Sequence, residues 1–359
     1  MFRTRPPSRR IVALGLPTLW GAVAIAYRVL CPLSRHGGLA ERIATSAVFF
    51  AVGTGLVLHV RSTLLYELRQ ARRVADTAQE VVLRPPPARV DGLRTAAAVL
   101  SADRGAAVGG DLYDIVATEH GVRAVMGDVR GHGIAALGTV AALLGSFREA
   151  VHDEADLAGV LHRLDRTLAR HLHERARTEH PAAGRPLDAP VAEEFVTLLL
   201  LEIDGDGEVR ALNCGHPWPF LLTGTRVERL ARTDPLPPLG AFPLPDRPAP
   251  VRCRALLPGE TLVLHTDGAE DARDARGRFF PLHATLAGAV RVAPLSPQTL
   301  LRTVLKALLR HTSGAPADDV ALLVLSNDRR RGPSPEAPEP APEATGRPHA
   351  TAPLERRGA

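Results

Sequence analysis

The chain opens with two apolar runs that carry no charge, Ile11 to Tyr27 and Ile43 to Val60, 17 and 18 residues long. About 17–25 apolar residues in a helix span a bilayer core, so each run is long enough to do so. The alternative is a secretory leader followed by a buried helix. No small-residue cleavage site follows Tyr27, and the second run comes at once, which favours two membrane helices. Over residues 62–83, Leu64, Leu65, Leu68, Val74, Ala78, Val81 and Val82 recur at helical spacing. Pro85, Pro86 and Pro87 stop that helix. It reads as a coiled-coil connector between two copies of the chain, or else as a plain spacer; the dimer is the preferred reading.

From about residue 91 to 326 the pattern changes. Short apolar runs predict strands at Arg123–Met126, Phe195–Ile203, Val209–Leu212, Pro219–Leu222, Thr261–His265 and Val320–Leu325. Helical spacing appears over 133–151, 155–175 and 296–312. Strands dominate with helices interspersed, so an α+β or layered sandwich is expected. Residues 176–193 are polar and contain three prolines, which predicts a mobile loop. The tail after Asn327 holds seven prolines in 32 residues with no apolar period, a composition expected to stay disordered. The expected organisation is a two-helix membrane anchor over 1–61, a helical linker over 62–90, a globular domain over 91–326 and a Pro-rich tail over 327–359.

Charge refines this picture. The 44 basic and 39 acidic residues give a net charge of +5, but the excess is local. Residues 1–73 hold 11 Arg and 2 Glu, a net +9, and the remainder, with 33 basic and 37 acidic residues, is −4. The globular part therefore offers no basic surface for nucleic acid, and none is expected as a partner. Arginines flank the outer ends of both spans more densely than the connector of about 15 residues between them. The positive-inside rule then puts both ends, and the globular domain, in the cytoplasm, with the chain a multi-pass protein of the cell membrane. Three cysteines without close spacing argue against a disulfide framework or a zinc knuckle.

Four acidic clusters stand where strands should meet turns: Gly109-Gly110-Asp111-Leu112-Tyr113-Asp114, Gly127-Asp128-Val129-Arg130-Gly131-His132-Gly133, Thr266-Asp267-Gly268 and Asp318-Asp319. Any one of them is ordinary turn chemistry. Together, at the ends of strands sharing one sheet system, they would bring several carboxylates into one cleft. Carboxylates in proximity repel and call for a cation. An all-oxygen set favours Mg²⁺ or Mn²⁺.

The motifs GGDLYD, GDVRGHG, EFVTLLLLEID, LNCGHPWPFLL, PLPPLG, HTDGAEDAR and ADDVALLVL, in this order over about residues 79–326, resemble the metal-dependent PPM serine/threonine phosphatases. They look most like the branch named for stage II sporulation protein E, which includes bacterial sigma-factor regulators. GGDLYD alone would also suit a diguanylate cyclase, which leaves HTDG and ADDV unexplained. The resemblance implies two packed antiparallel sheets flanked by helices, with two Mn²⁺ or Mg²⁺ ions between the sheets at one end. It assigns metal binding to Asp111, Asp128, the Val129 carbonyl, Asp267 and Asp318, with Asp319 sharing that role or supporting it. Asp111 and Asp128 are also the expected catalytic pair around a metal-activated water. Asp114 is expected to hold the turn of the first ligand or a metal-bound water. His132 is a candidate acid for the leaving oxygen, and His216 a turn and packing residue. The implied activity is hydrolysis of phosphoserine or phosphothreonine on a partner protein, such as a phosphorylated anti-sigma-factor antagonist. The competing reading is a membrane signalling scaffold with the same fold and no catalysis.

Overall fold

The structure is a computed structural model, described here for residues 19–27, 30, 38–100, 109–131, 133–179, 194–291, 296–314 and 316–329. His132, the start of the first apolar run, residues 180–193 of the expected loop and residues 330–359 of the tail lie outside the described residues.

The second apolar run and the linker form one helix, α1 (Leu39–Val82). At about 1.5 Å per residue its 44 residues reach about 66 Å. Residues 19–27 are helical too. They lie against α1, where Trp20 Nε1 donates to the Phe49 carbonyl at 3.2 Å and the Trp20 and Tyr27 rings each pack 5.3 Å from that of Phe49. The rest of this part of α1 presents Ile43, Val48, Phe50, Val57 and Leu58 to the surroundings.

Among the described residues eleven strands follow, and each pairing between them is antiparallel. One sheet holds β1 (Arg89–Val90), β2 (Leu93–Leu100), β11 (Val320–Asn327), β10 (Thr261–His265), β7 (Phe220–Thr223) and β8 (Arg226–Arg229), in that order. The other runs β3 (Asp111–Thr118), β4 (Gly121–Val129), β5 (Val196–Ile203), β6 (Val209–Cys214) and β9 (Val251–Arg252). Helices α2 (Ile134–Asp153) and α3 (Leu157–Glu179) cover the five-stranded sheet. The short α4 (Asp267–Asp271) follows β10, and α5 (Leu282–Val290) and α6 (Pro297–His311) cover the six-stranded sheet. The period-2 alternation of a strand shows why β11 reads as one apolar run. Ala321, Leu323 and Leu325 enter the core between the sheets, while Val320, Leu322 and Val324 face α5 and α6.

Among the described residues two helices are long and apolar enough to cross a membrane, Ile43–Tyr66 within α1 and Ile134–Asp153, which is α2. Their surroundings separate them. Half of α2 is buried, with Val140, Leu144, Phe147 and Val151 in the core, whereas only 6% of the apolar window in α1 is. α2 is also pinned at its C-terminus by Arg123 of β4, a fully buried side chain. Its Nη1 donates to the Val151 and Glu154 carbonyls at 2.9 and 2.6 Å, and its Nε to Glu202 Oε2 at 2.8 Å. A guanidinium at a helix C-terminus meets both the orphan carbonyls and the negative end of the dipole. This fixes the helix whose other end begins at Ile134, a few residues beyond the end of β4.

Candidate metal centre

The ladders bring the acidic clusters together. Asp111, first in β3, faces Asp128, near the end of β4, across the five-stranded sheet. Directly opposed residues share a face, so both carboxylates point to the same side. Val129 N–H donates to the Gly110 carbonyl at 3.0 Å and ties the two strand ends. Gly110 sits so close that a Cβ would collide with the Val129 carbonyl oxygen. From the other sheet come Asp267, which opens α4 two residues past the end of β10, and Asp318-Asp319, directly before β11. Gly268 packs onto the Asp319 carbonyl with no room for a side chain, and the Asp319 carboxylate lies against Gly109. Glycine is required here for close approach, whatever its φ.

The electrostatics report the same convergence. The Asp111 carboxyl is held well above its ordinary range, first by burial, then by Asp128 and Asp319, with a smaller push from Asp267. Asp128 is pushed up to about 7 by burial and by Asp267, Asp318 and Asp319. Asp267 is raised by burial and by Asp318. Five carboxylates from both sheets therefore bear on one another. Among the described residues no three His, Cys, Asp or Glu side chains stand at the spacing of a formed metal site. The donor set nevertheless suits hard divalent cations: it is all oxygen, partly buried and mutually repelling.

Asp114 departs from expectation. Three residues after Asp111 on a strand, it falls on the opposite face. There it accepts from Arg148 Nε of α2 at 2.6 Å and from Ile115 N–H at 2.8 Å, so it holds α2 and not the ligand turn. Arg148 Nη2 also donates to the Val82 carbonyl at the end of α1, at 3.1 Å. His216 is a packing residue. Its Nδ1 meets Thr197 Oγ1 at 3.1 Å, its backbone is bracketed by Asn213, and burial, then the neighbouring His265, pushes its ring down to about 3. Reading by motif singled out the aspartates and passed over Thr266, whose hydroxyl donates to Asp111 Oδ2 at 3.2 Å. It passed over Arg130 as well, which extends the β4–β5 ladder by one pair and lays its guanidinium over the Phe195 ring at 5.2 Å.

The match to known proteins has two parts. Residues 118–328, more than half of the chain, match the family model of stage II sporulation protein E. Among solved structures, the phosphatase domain of SpoIIE from Bacillus subtilis with a fragment of its regulatory domain is 17% identical, with a TM-score of 0.50 over 67% of this chain and 64% of that one. The SiaA PP2C domain of Pseudomonas aeruginosa is likewise 17% identical, with a TM-score of 0.50 over 76% of this chain and 98% of that one. The RsbU and RsbW domains of a Mycobacterium tuberculosis protein are 26% identical, with a TM-score of 0.49 over 66% of this chain and 60% of theirs. The chain thus spans under two thirds of the length of the Bacillus and Mycobacterium structures. The strand-end carboxylates, the two antiparallel sheets and the family match agree, and the chain belongs to the stage II sporulation protein E family, the SpoIIE branch of the PPM-type phosphatases.

Proposed function

We propose that this chain is a membrane-tethered protein serine/threonine phosphatase. The observation that carries the reading is the convergence of Asp111, Asp128, Asp267, Asp318 and Asp319 from both sheets onto one strand-end cleft. The PPM phosphatases are Mn²⁺- or Mg²⁺-dependent as a family. Asp111, Asp128, the Val129 carbonyl, Asp267 and Asp318, with Asp319, would hold two such ions. When bound, the pair supplies a water of lowered pKa and charge neutralisation on the phosphoryl oxygens.

The chain's own part is to pre-position the donors. The Asp111–Asp128 register fixes two carboxylates on one face, and the close-packed glycines let the 109–111, 128–129 and 267–268 segments meet. Asp111 is buried at the base of the cluster, where its interactions with the neighbouring charges are least screened. This reading needs no serine, cysteine or histidine nucleophile and no covalent phosphoenzyme. The expected substrate is a phosphoserine or phosphothreonine protein, with a phosphorylated anti-sigma-factor antagonist as the leading candidate. That choice follows family resemblance.

The test uses the full-length chain in detergent, with p-nitrophenyl phosphate and a phosphoserine peptide, with Mn²⁺ or EDTA, beside Asp128→Asn. Mn²⁺-dependent turnover that falls by about 10²-fold or more in the variant is expected, the scale of losing one strong charge contact at a reacting phosphoryl group. Turnover unchanged by EDTA or by Asp128→Asn would refute the site, and none under any condition would favour the scaffold.

A further inference from the structure

We infer that Thr266 is a positioning residue that aims the Asp111 carboxylate at a divalent cation through a relay crossing from one sheet to the other. The inference rests on the metal-site reading above and deepens it. Thr266 directly follows β10 of the six-stranded sheet and is fully buried. Its backbone is fixed twice: its N–H donates to the Ala321 carbonyl at 3.1 Å, and its carbonyl accepts from Ala269 N–H at 3.1 Å. The hydroxyl is therefore delivered to one place.

The relay also has a direction. Ala321 N–H, on β11, donates to Thr266 Oγ1 at 2.9 Å. A hydroxyl has a single proton, and with the amide on its acceptor side that proton goes to its other neighbour. That neighbour is Asp111 Oδ2, at 3.2 Å on β3 of the opposite sheet. The order amide, hydroxyl, carboxylate makes Oδ2 an acceptor and holds the side chain in one orientation. Asp128, Asp267 and Asp319 all bear on Asp111 with like charge. Unheld, its carboxylate would turn away from them, and each cation bound would have to turn it back. An outer partner that orients a ligand is typically worth about 10–100-fold in metal affinity.

The experiment is calorimetric titration of the full-length protein with Mn²⁺, with thermal midpoints in EDTA. It compares wild type, Thr266→Val, which keeps the shape and removes the hydroxyl, and Thr266→Ser, which keeps the hydroxyl. Thr266→Ala serves as a second deletion should the valine variant fail to fold. The expected result is a loss of about 10–100-fold in Mn²⁺ affinity for the variants without a hydroxyl, with affinity near wild type for serine. Wild-type affinity in a hydroxyl-free variant overturns the assignment, even where its midpoint in EDTA is lower, because the residue then serves folding alone. A serine variant as weak as valine overturns it too. A wild type that binds no Mn²⁺ overturns the metal-site reading itself, and the wild-type titration alone distinguishes that result.

Discussion

Asp128 shows what a shared cleft does to a single carboxyl. An isolated Asp loses its proton near pH 4, and here burial and three neighbouring carboxylates push that point up to about 7. Between those values the folded protein holds a proton that the unfolded chain has released, so stability falls as pH rises through that window and levels off above it. In EDTA the thermal midpoint is therefore expected to be lower at pH 8 than at pH 5, and Asp128→Asn to flatten the drop. The Asp128 share is about 1–3 kcal/mol after solvent screening, or several degrees at roughly 2–4 °C per kcal/mol for a domain of this size. Mn²⁺ binds only the folded state and should restore the midpoint at pH 8 in wild type and much less in the variant. Equal pH slopes in wild type and Asp128→Asn would show that these carboxylates do not feel one another. The acidic clusters were legible because strand-end Asp-Gly pairs recur in the sequence. Thr266 was not, because a hydroxyl's importance lies in a partner 155 residues away.

At the scale of elements, strands with strong branched-residue character were read closely: Thr261–His265 to the residue, and Val320–Leu325 short by two. β2 went unread because its Thr-Ala-Ala-Ala centre carries little strand propensity. β3 was not among the expected strands; only its start, behind two glycines, was placed at a junction of strand and turn. The anchor–linker boundary expected at residue 61 does not break the helix, since α1 runs on to Val82. Its end is joined to the domain by Arg148, which bonds both the Val82 carbonyl and Asp114. Arg148 thus connects α1 to α2, which begins at Ile134 shortly after β4, and to β3, which begins at Asp111. If α1 influences the cleft, this is a route by which it does so. Arg148→Ala and deletion of residues 1–74 are then expected to shift the Mn²⁺ dependence of turnover in the same direction, less than additively when combined. Turnover and Mn²⁺ dependence unchanged in both would leave α1 a passive spacer.

For the whole molecule the decisive question is which side of a bilayer holds the connector between the two apolar runs, and the cysteines allow it to be asked. In the proposed topology the charge pattern predicts residues 28–42, with Cys31, on the outer side and the globular domain inside. Cys214 and Cys253 are poor competitors for a label, since burial pushes their thiols up to about 12 and about 11 and little thiolate forms near neutral pH. In intact cells expressing the chain, a membrane-impermeant maleimide should therefore label Cys31 alone, and Cys31→Ser should abolish the signal. Labelling of Cys31 only after lysis would reverse the orientation and place the acidic cleft on the outer side, away from any cytoplasmic phosphoprotein. Recovery of the unlabelled chain in the soluble fraction without detergent would remove the tether altogether. The exposed apolar face of α1, with Ile43, Val48, Phe50, Val57 and Leu58, would then have to be covered by protein.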